Sequence, residues 1–72
     1  MVTGFMAREV SARHELAALL GISEAAAALA MTCAADCAVR GLPPVPVLVP
    51  RWQGTLRLVC AGRWRVNVRP RT

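Results

Sequence analysis

The chain has no lysine, and its second half has no acidic residue. All nine basic residues among the 72 are arginines. Residues 1–39 carry two arginines and all four acids, whereas residues 40–72 carry seven arginines and no acid, so the formal net charge of +5 is concentrated in the second half. Arginine presents a fixed planar fork of N–H donors that matches phosphate groups and guanine edges. This imbalance therefore favours a polyanionic partner.

Residues that typically carry catalysis are scarce. His14 is the only histidine, and His14-Glu15 begins a zinc-peptidase motif whose second histidine would be residue 18, which is alanine. The sequence has neither a glycine-rich phosphate loop nor an acidic metal cluster, and nothing places His14 beside a cysteine nucleophile. We expect that the protein is not an enzyme.

The three cysteines, Cys33, Cys37 and Cys60, lack the C-x2-C spacing typical of zinc sites. Together with His14 they could in principle form a Cys3His zinc site. The commoner interpretation is that they are small reduced thiols that fill the core. The sequence therefore predicts no metal and no cofactor.

Long hydrophobic runs are also missing. The most apolar window, residues 25–35, is much shorter than the roughly 20 residues that a membrane-spanning helix needs. The first ten residues lack the basic region followed by an apolar run that is typical of a secretory signal. We therefore expect a cytoplasmic protein that does not bind a membrane.

The length of the chain predicts one small domain over residues 1–72, with a helical part at 3–41 and a β part at 45–69. A chain this short buries a modest core, and its many alanines add little buried area. A homodimer that supplies additional core is therefore a reasonable expectation.

Helical periodicity is typical of the first half. The pattern predicts a helix over residues 3–20 with a break near Ser11, which is a candidate N-cap for the second piece. Gly21 should end this helix in a left-handed conformation. A second helix should follow over residues 24–40, with Ser23 as its N-cap.

From residue 45 the apolar residues recur with period two, which indicates strands. The pattern predicts extended chain at 45–50, a turn at 51–54, and strands at 55–60 and 63–69, followed by a frayed tail at the carboxyl end.

The register of the last two strands follows from their apolar residues. A three-residue loop at 61–63 would pair Cys60 with Trp64, Leu58 with Val66 and Leu56 with Val68. All six apolar side chains would then share one face, with Trp64 in the core. The opposite face would be basic, and it would present Arg57, Val59, Arg65, Asn67 and Arg69.

The first half also fits a helix-turn-helix. Ala17 is the small residue at the helix crossing, Gly21 the turn glycine, Ile22 the buried turn residue and Ser23 the cap of the next helix. The same spacing suits other tight helical hairpins. We predict an α+β fold, with two helices in a helix-turn-helix-like arrangement followed by a C-terminal antiparallel β-hairpin or three-stranded meander.

Three stretches carry a resemblance to a known family: ELAALLGIS at 15–23, RGLP at 40–43 and GRWRV at 62–66. Together they resemble the small winged helices of phage excisionases and of the mercury-resistance-regulator class. The resemblance implies an accessory or regulatory protein that binds duplex DNA. It also implies that the second helix lies in the major groove and that the wing contacts the backbone or the minor groove.

The second helix begins with glutamate and alanines, whereas base reading requires arginine, asparagine, glutamine or similar side chains. We therefore expect phosphate contacts from the hairpin to dominate. The alternative is a protein-interaction domain, either homo-oligomeric or docked on a larger acidic partner. The candidate nucleic-acid-binding residues are Arg57, Arg63, Arg65, Arg69, Arg51, Ser23 and Arg40.

Overall fold

A computed structural model describes residues 4–71, which form two helices and a four-stranded antiparallel sheet. The predicted α+β class is confirmed at this level. In chain order the elements are β1 (Met6–Val10), α1 (Arg13–Leu20), α2 (Glu24–Arg40), β2 (Val45–Leu48), β3 (Trp52–Cys60) and β4 (Arg63–Pro70).

The strand order is β1-β4-β3-β2, and every neighbouring pair is antiparallel. The last strand, β4, therefore lies between β1 and β3 and bonds to both. Both helices contact the sheet from one side, α2 through β3 and β2 and α1 through β1. The result is a two-layer arrangement in which helices cover only one face of the sheet.

The core lies between the helices and the covered face of the sheet. Leu16 from α1, Met31 from α2 and Leu56 from β3 are all 6% exposed or less. The buried set is wholly apolar, so the layers are held together mainly by hydrophobic burial. Its members are Val10, Leu16, Ala17, Leu20, Ala27, Met31, Ala34, Val47, Leu56, Val66 and Val68.

The turn between the helices forms as the sequence predicts. Gly21 adopts φ 70° and ψ 38° at the end of α1, a left-handed conformation that favours glycine. The Ser23 hydroxyl accepts a hydrogen bond from the Ala26 N–H at 3.1 Å and so caps α2. The chain bends by 112° between the two helices.

The first element differs from the prediction. Met6–Val10 is a strand rather than part of a helix, and the predicted start at Thr3 lies outside the described residues. The strand exists because β4, almost sixty residues later, supplies its hydrogen-bond partners, with Met6 opposite Val68 and Val10 opposite Trp64.

The N-cap of α1 is Ala12 rather than Ser11. Alanine has no side-chain acceptor, and the cap is made from the other direction. The Glu15 carboxylate accepts hydrogen bonds from the backbone N–H of Ser11 at 2.8 Å and of Ala12 at 3.0 Å. Glu15 thus supplies one half of a capping box.

The predicted cross-strand pairs of the β3–β4 hairpin are wrong, but most of its residues lie on the predicted face of the sheet. Leu58 lies opposite Trp64 and Leu56 opposite Val66, while the tip pairs Cys60 with Arg63 across a two-residue turn. The strand β3 has a bulge between Leu58 and Cys60, where it contains one more residue than β4. Because of this extra residue, the apolar side chains of β3 and β4 share one face even though the turn has only two residues. Cys60 leaves that face and is exposed.

The second half contains more strand than predicted. Residues 52–54 belong to β3 and not to a turn, and β2 ends at Leu48. The tail is tied to the β2–β3 turn, because the Arg71 N–H donates to the Arg51 carbonyl at 3.0 Å and the Arg71 guanidinium donates to the Val49 carbonyl at 2.9 Å. Thr72 lies outside the described residues.

Candidate nucleic-acid interface

The face of the sheet opposite the helices has no covering layer in the described chain. We call it the arginine face, and its residues are those whose side chains alternate away from the core. Strand register arranges them in three rows. These rows are Leu48, Gln53 and Arg69; Pro46, Thr55, Asn67 and Ala7; and Arg57, Arg65 and Glu9.

The row that contains Arg57 and Arg65 carries the most charge. The two arginines lie directly opposite each other on β3 and β4, and Glu9 of β1 lies on the far side of Arg65. The Glu9 carboxylate accepts a 2.7 Å hydrogen bond from the Arg65 guanidinium, and its other oxygen lies 3.6 Å from Nε of Arg63 at the hairpin tip. One acid thus pairs with two arginines, and positive charge remains.

The row at the other end of the face holds a cross-strand pair. With the Gln53 amide oriented so that its oxygen faces β4, that oxygen accepts hydrogen bonds from Nε and Nη2 of Arg69 at 2.9 and 3.0 Å. This contact fixes the guanidinium without neutralising its charge. Arg69 and Arg57 make no ion pair with any acid in the described part of the chain.

The middle row is polar and uncharged. Asn67 is half-buried between Thr55 on β3 and Ala7 on β1. Within residues 4–71, neither the Asn67 amide nor the Thr55 hydroxyl makes a side-chain hydrogen bond. These two groups therefore keep their donors and acceptors available to a partner.

The four acids of the chain are all engaged, which leaves the arginine face with the surplus of positive charge. Glu24 pairs with Arg13 at 3.6 Å, Asp36 pairs with Arg40 at 3.3 Å, and Glu15 caps α1. Only Glu9 lies on the arginine face. The field of this face is accordingly positive.

Three predicted site residues lie away from the arginine face. Ser23 and Arg40 bracket the 17-residue α2 in the other layer, and the side chains of both already have partners within the chain. Arg51 is exposed in the turn between β2 and β3. The structure thus brings together Arg57, Arg65 and Arg69, with Arg63 beside them at the tip.

Sequence reasoning missed Gln53, Thr55 and Glu9. The sequence places Gln53 in a predicted turn, and Thr55 begins a predicted strand without being assigned to a face, although the apolar residues at positions 52, 56 and 58 continue the period-two pattern backwards along β3. That pattern places the odd positions on the arginine face. No comparable signal exists for Glu9, because its place depends on the pairing of β1 with β4.

The outward surface of α2 is poor in polar groups suited to reading bases. Its first turns expose Glu24, Ala25, Ala26 and Leu29, and Leu29 is 68% exposed. Further along, Val39 is 85% exposed, and Leu42 just beyond the helix is 52% exposed. This surface is apolar rather than basic.

The three aromatic residues have different environments: Phe5 is 60% exposed and shares a surface depression with Leu48, Gln53 and Arg69, whereas the two tryptophans pack against the core. Trp64 packs against the core, as predicted, and its indole N–H donates to the Met31 carbonyl at 2.9 Å. Trp52 also packs there, at the start of β3.

The expectation that the cysteines fill the core is wrong, because Cys33 and Cys60 are exposed and Cys37 is half-buried. Among the described residues, no three His, Cys, Asp or Glu side chains group as metal ligands.

Hydrogen bonds at the start of α1 lower the pKa of the Glu15 carboxyl group. The backbone N–H of Ser11 lowers the pKa of Glu15, and the Ala12 N–H and Ser11 hydroxyl act in the same direction, because all three bond to the ionised form. His14 on the same helix is exposed. The shift belongs to the α1 cap and not to the arginine face.

No single helix in the described part of the chain is long and apolar enough to cross a membrane, and α1 and α2 satisfy that test only as a pair bent by 112°.

Comparison of the chain with models of protein families, with curated proteins and with solved structures gives no match.

Proposed function

We propose that this protein is a small basic DNA-binding accessory or regulatory protein of winged-helix type, which contacts the phosphate backbone through its arginine-rich hairpin. The observation that carries the proposal is an uncovered sheet face on which Arg57, Arg65 and Arg69 meet one acid, Glu9. Arginine forks bind phosphate oxygens at two points, and such contacts supply most non-specific affinity for DNA.

In this proposal the two helices pack against the sheet in a helix-turn-helix-like arrangement, and they do not make the main contact with DNA. The 112° bend lies in the range found for helix-turn-helix units. However, the exposed start of α2 offers alanines and a glutamate, and a glutamate near phosphates is repelled. We therefore assign the binding energy to the sheet.

The test is the salt dependence of duplex binding, measured by fluorescence anisotropy with a labelled random-sequence duplex. Three to four neutralised phosphates predict a slope of log K against log salt of about −3. The triple variant R57A/R65A/R69A should lose most of the binding and most of the slope. The single variant Arg57→Ala is compared with Arg13→Ala, which makes the same change in net charge in the helical layer, where Arg13 is paired with Glu24. Absence of binding at low salt, or equal losses in the two single variants, would reject the proposal.

A second candidate function is protein–protein interaction, including homo-oligomerisation. It is favoured by the exposed apolar side chains of the helical layer, Leu29, Val39 and Leu42. An obligate oligomer would show a melting temperature that rises with protein concentration. Replacement of Leu29 and Val39 by glutamine would then abolish that concentration dependence while leaving duplex binding intact.

A further inference from the structure

The arginine face carries, besides its arginines, the side-chain types that recognise base edges. Gln53, Thr55 and Asn67 project from the same face as Arg57 and Arg65. Asparagine and glutamine pair with adenine at two points in the major groove, and threonine contacts either a base edge or the thymine methyl. A purely electrostatic surface needs arginines but not this polar set.

The spacing of the rows suits the major groove of B-form DNA. Arg65 and Arg69 are four residues apart on β4, which corresponds to roughly 13 Å along a strand. The major groove is about 12 Å wide, and the residues concerned lie on β3 and β4, the two inner strands of the four-stranded sheet. The arginine rows can therefore reach phosphates on both sides of the groove while Thr55 and Asn67 face the base edges.

The middle row is also built so that Asn67 is accessible. Its neighbours in the row, Thr55 and Ala7, are both short. The amide makes no hydrogen bond within residues 4–71, so contact with a base breaks no existing bond. In contrast, the Gln53 oxygen already accepts from Arg69, which makes Gln53 a residue that positions that arginine.

The same face is unsuited to the other nucleic acids. Single strands are typically held by aromatic platforms on which bases stack. Both tryptophans pack against the core on the helix-covered side. Phe5 is 60% exposed and shares a surface depression with Leu48, Gln53 and Arg69, but a single ring cannot stack successive bases. Double-stranded RNA presents a deep, narrow major groove that side chains cannot read. The geometry therefore favours duplex DNA.

We propose that the arginine face reads DNA sequence in the major groove, with Asn67 and Thr55 as the base-contacting residues and Arg57, Arg65 and Arg69 as the phosphate-contacting residues on either side. This inference rests on the proposed function and extends it, because it assigns sequence specificity to the sheet and not to α2. Asn67 is expected to select adenine at one position of the site.

The experiment selects binding sites from a pool of randomised duplexes with the full chain and then measures affinity for the selected and a scrambled duplex. The wild type should prefer the selected site, and Asn67→Ala should lose roughly 5- to 150-fold of that preference at one base pair while keeping its affinity for the scrambled duplex. Thr55→Val should weaken the preference at a neighbouring position. Both substitutions lie on the surface of the sheet, and melting curves of the two variants test whether they fold.

The matched control is Thr32→Ala on the exposed surface of α2, which should leave the preference unchanged. A selected site that depends on Thr32 and not on Asn67 or Thr55 would overturn the inference, and so would tighter binding to single strands or to RNA. Duplex binding without any selected site would overturn this inference and leave the proposed function standing. Absence of any binding would reject both.

Discussion

The outward surface of α2 and the arginine face are both exposed to solvent, yet they differ in how their charges are used. On the helical layer Arg13 and Arg40 each pair with an acid within the chain. On the arginine face one carboxylate serves two arginines, and Arg57 and Arg69 have no acid partner among the described residues. The net charge by itself does not show where positive charge lies unpaired on the surface, whereas the positions of the acids do.

The largest change in stability should come from a substitution in the core between the helical layer and the sheet. Leu56→Ala removes a fully buried side chain of β3 and should lower the free energy of unfolding by about 2–5 kcal/mol. Leu29→Ala, on the exposed surface of α2, should change it by no more than about 0.5 kcal/mol. Urea unfolding of both variants provides the measurement. Equal losses would show that Leu29 is buried in solution, as an oligomer would require.

The next effect concerns the sheet beneath the arginine face. A Cβ on Gly54 would lie 2.7 Å from the Val68 Cα and closer still to the Asn67 carbonyl of β4. Since backbone atoms cannot yield as a flexible side chain does, Gly54→Ala should cost about 1–3 kcal/mol or more and disturb the row that contains Asn67. The control is Gly62→Ala at the hairpin tip, where φ is 76° and nothing lies within 4 Å.

Gly62→Ala should cost about 1–2 kcal/mol from its left-handed conformation alone. It should leave duplex affinity unchanged once the variant is folded. Thermal unfolding and anisotropy titration together separate the two glycines. The interpretation fails if Gly54→Ala is the more stable variant of the two.

A smaller effect is expected from removing one acid on each side. Glu9→Gln frees Arg63 and Arg65 and should raise duplex affinity severalfold at low salt, with a salt slope steeper by up to about 1. Asp36→Asn makes the same change in net charge within the helical layer and should have little influence. Stability should change by at most about 1 kcal/mol in either case, because the two ion pairs of Glu9 and the one of Asp36 are all exposed. Identical gains in affinity would mean that net charge alone governs binding.

The smallest expected effect is the pH dependence of the α1 cap. Because hydrogen bonds lower the pKa of Glu15 in the folded chain, its contribution to stability is present above the ordinary glutamate pKa and is lost as the pH falls through the folded value. Glu15→Gln should therefore be less stable than the wild type at neutral pH, and the difference should shrink in acid. Melting curves from pH 7 to pH 3 measure it, and a difference independent of pH would contradict the assignment.

Local signals predict α2, the Gly21 turn and the Ser23 cap, because each depends on residues a few positions apart. The same locality explains why β1 is missed, since Met6–Val10 has one buried residue and becomes a strand only beside β4. The register fails for a related reason. Alternation fixes which residues share a face, but a bulge at the tip shifts the pairs without changing most faces.

For the candidate site, sequence reasoning identifies the arginines of the hairpin and their shared face. It also places Asn67 on that face. It does not pair Asn67 with Thr55, because that pairing depends on the register of β3 and β4, and it does not identify Glu9 as a neighbour, because that requires the pairing of β1 with β4. Ser23 and Arg40, which are also predicted as site residues, lie in the helical layer. The resemblance to winged helices stays a prediction.

The hydrogen bond from the Trp64 indole N–H to the Met31 carbonyl provides a built-in probe of whether the helices remain packed on the sheet. It joins β4 to α2 on the side away from the arginine face, so its indole proton should exchange slowly with deuterated water as long as the two layers stay docked. Its NMR resonance can then follow the integrity of the fold while DNA is titrated onto the opposite side. Loss of binding and loss of folding become separable in a single sample.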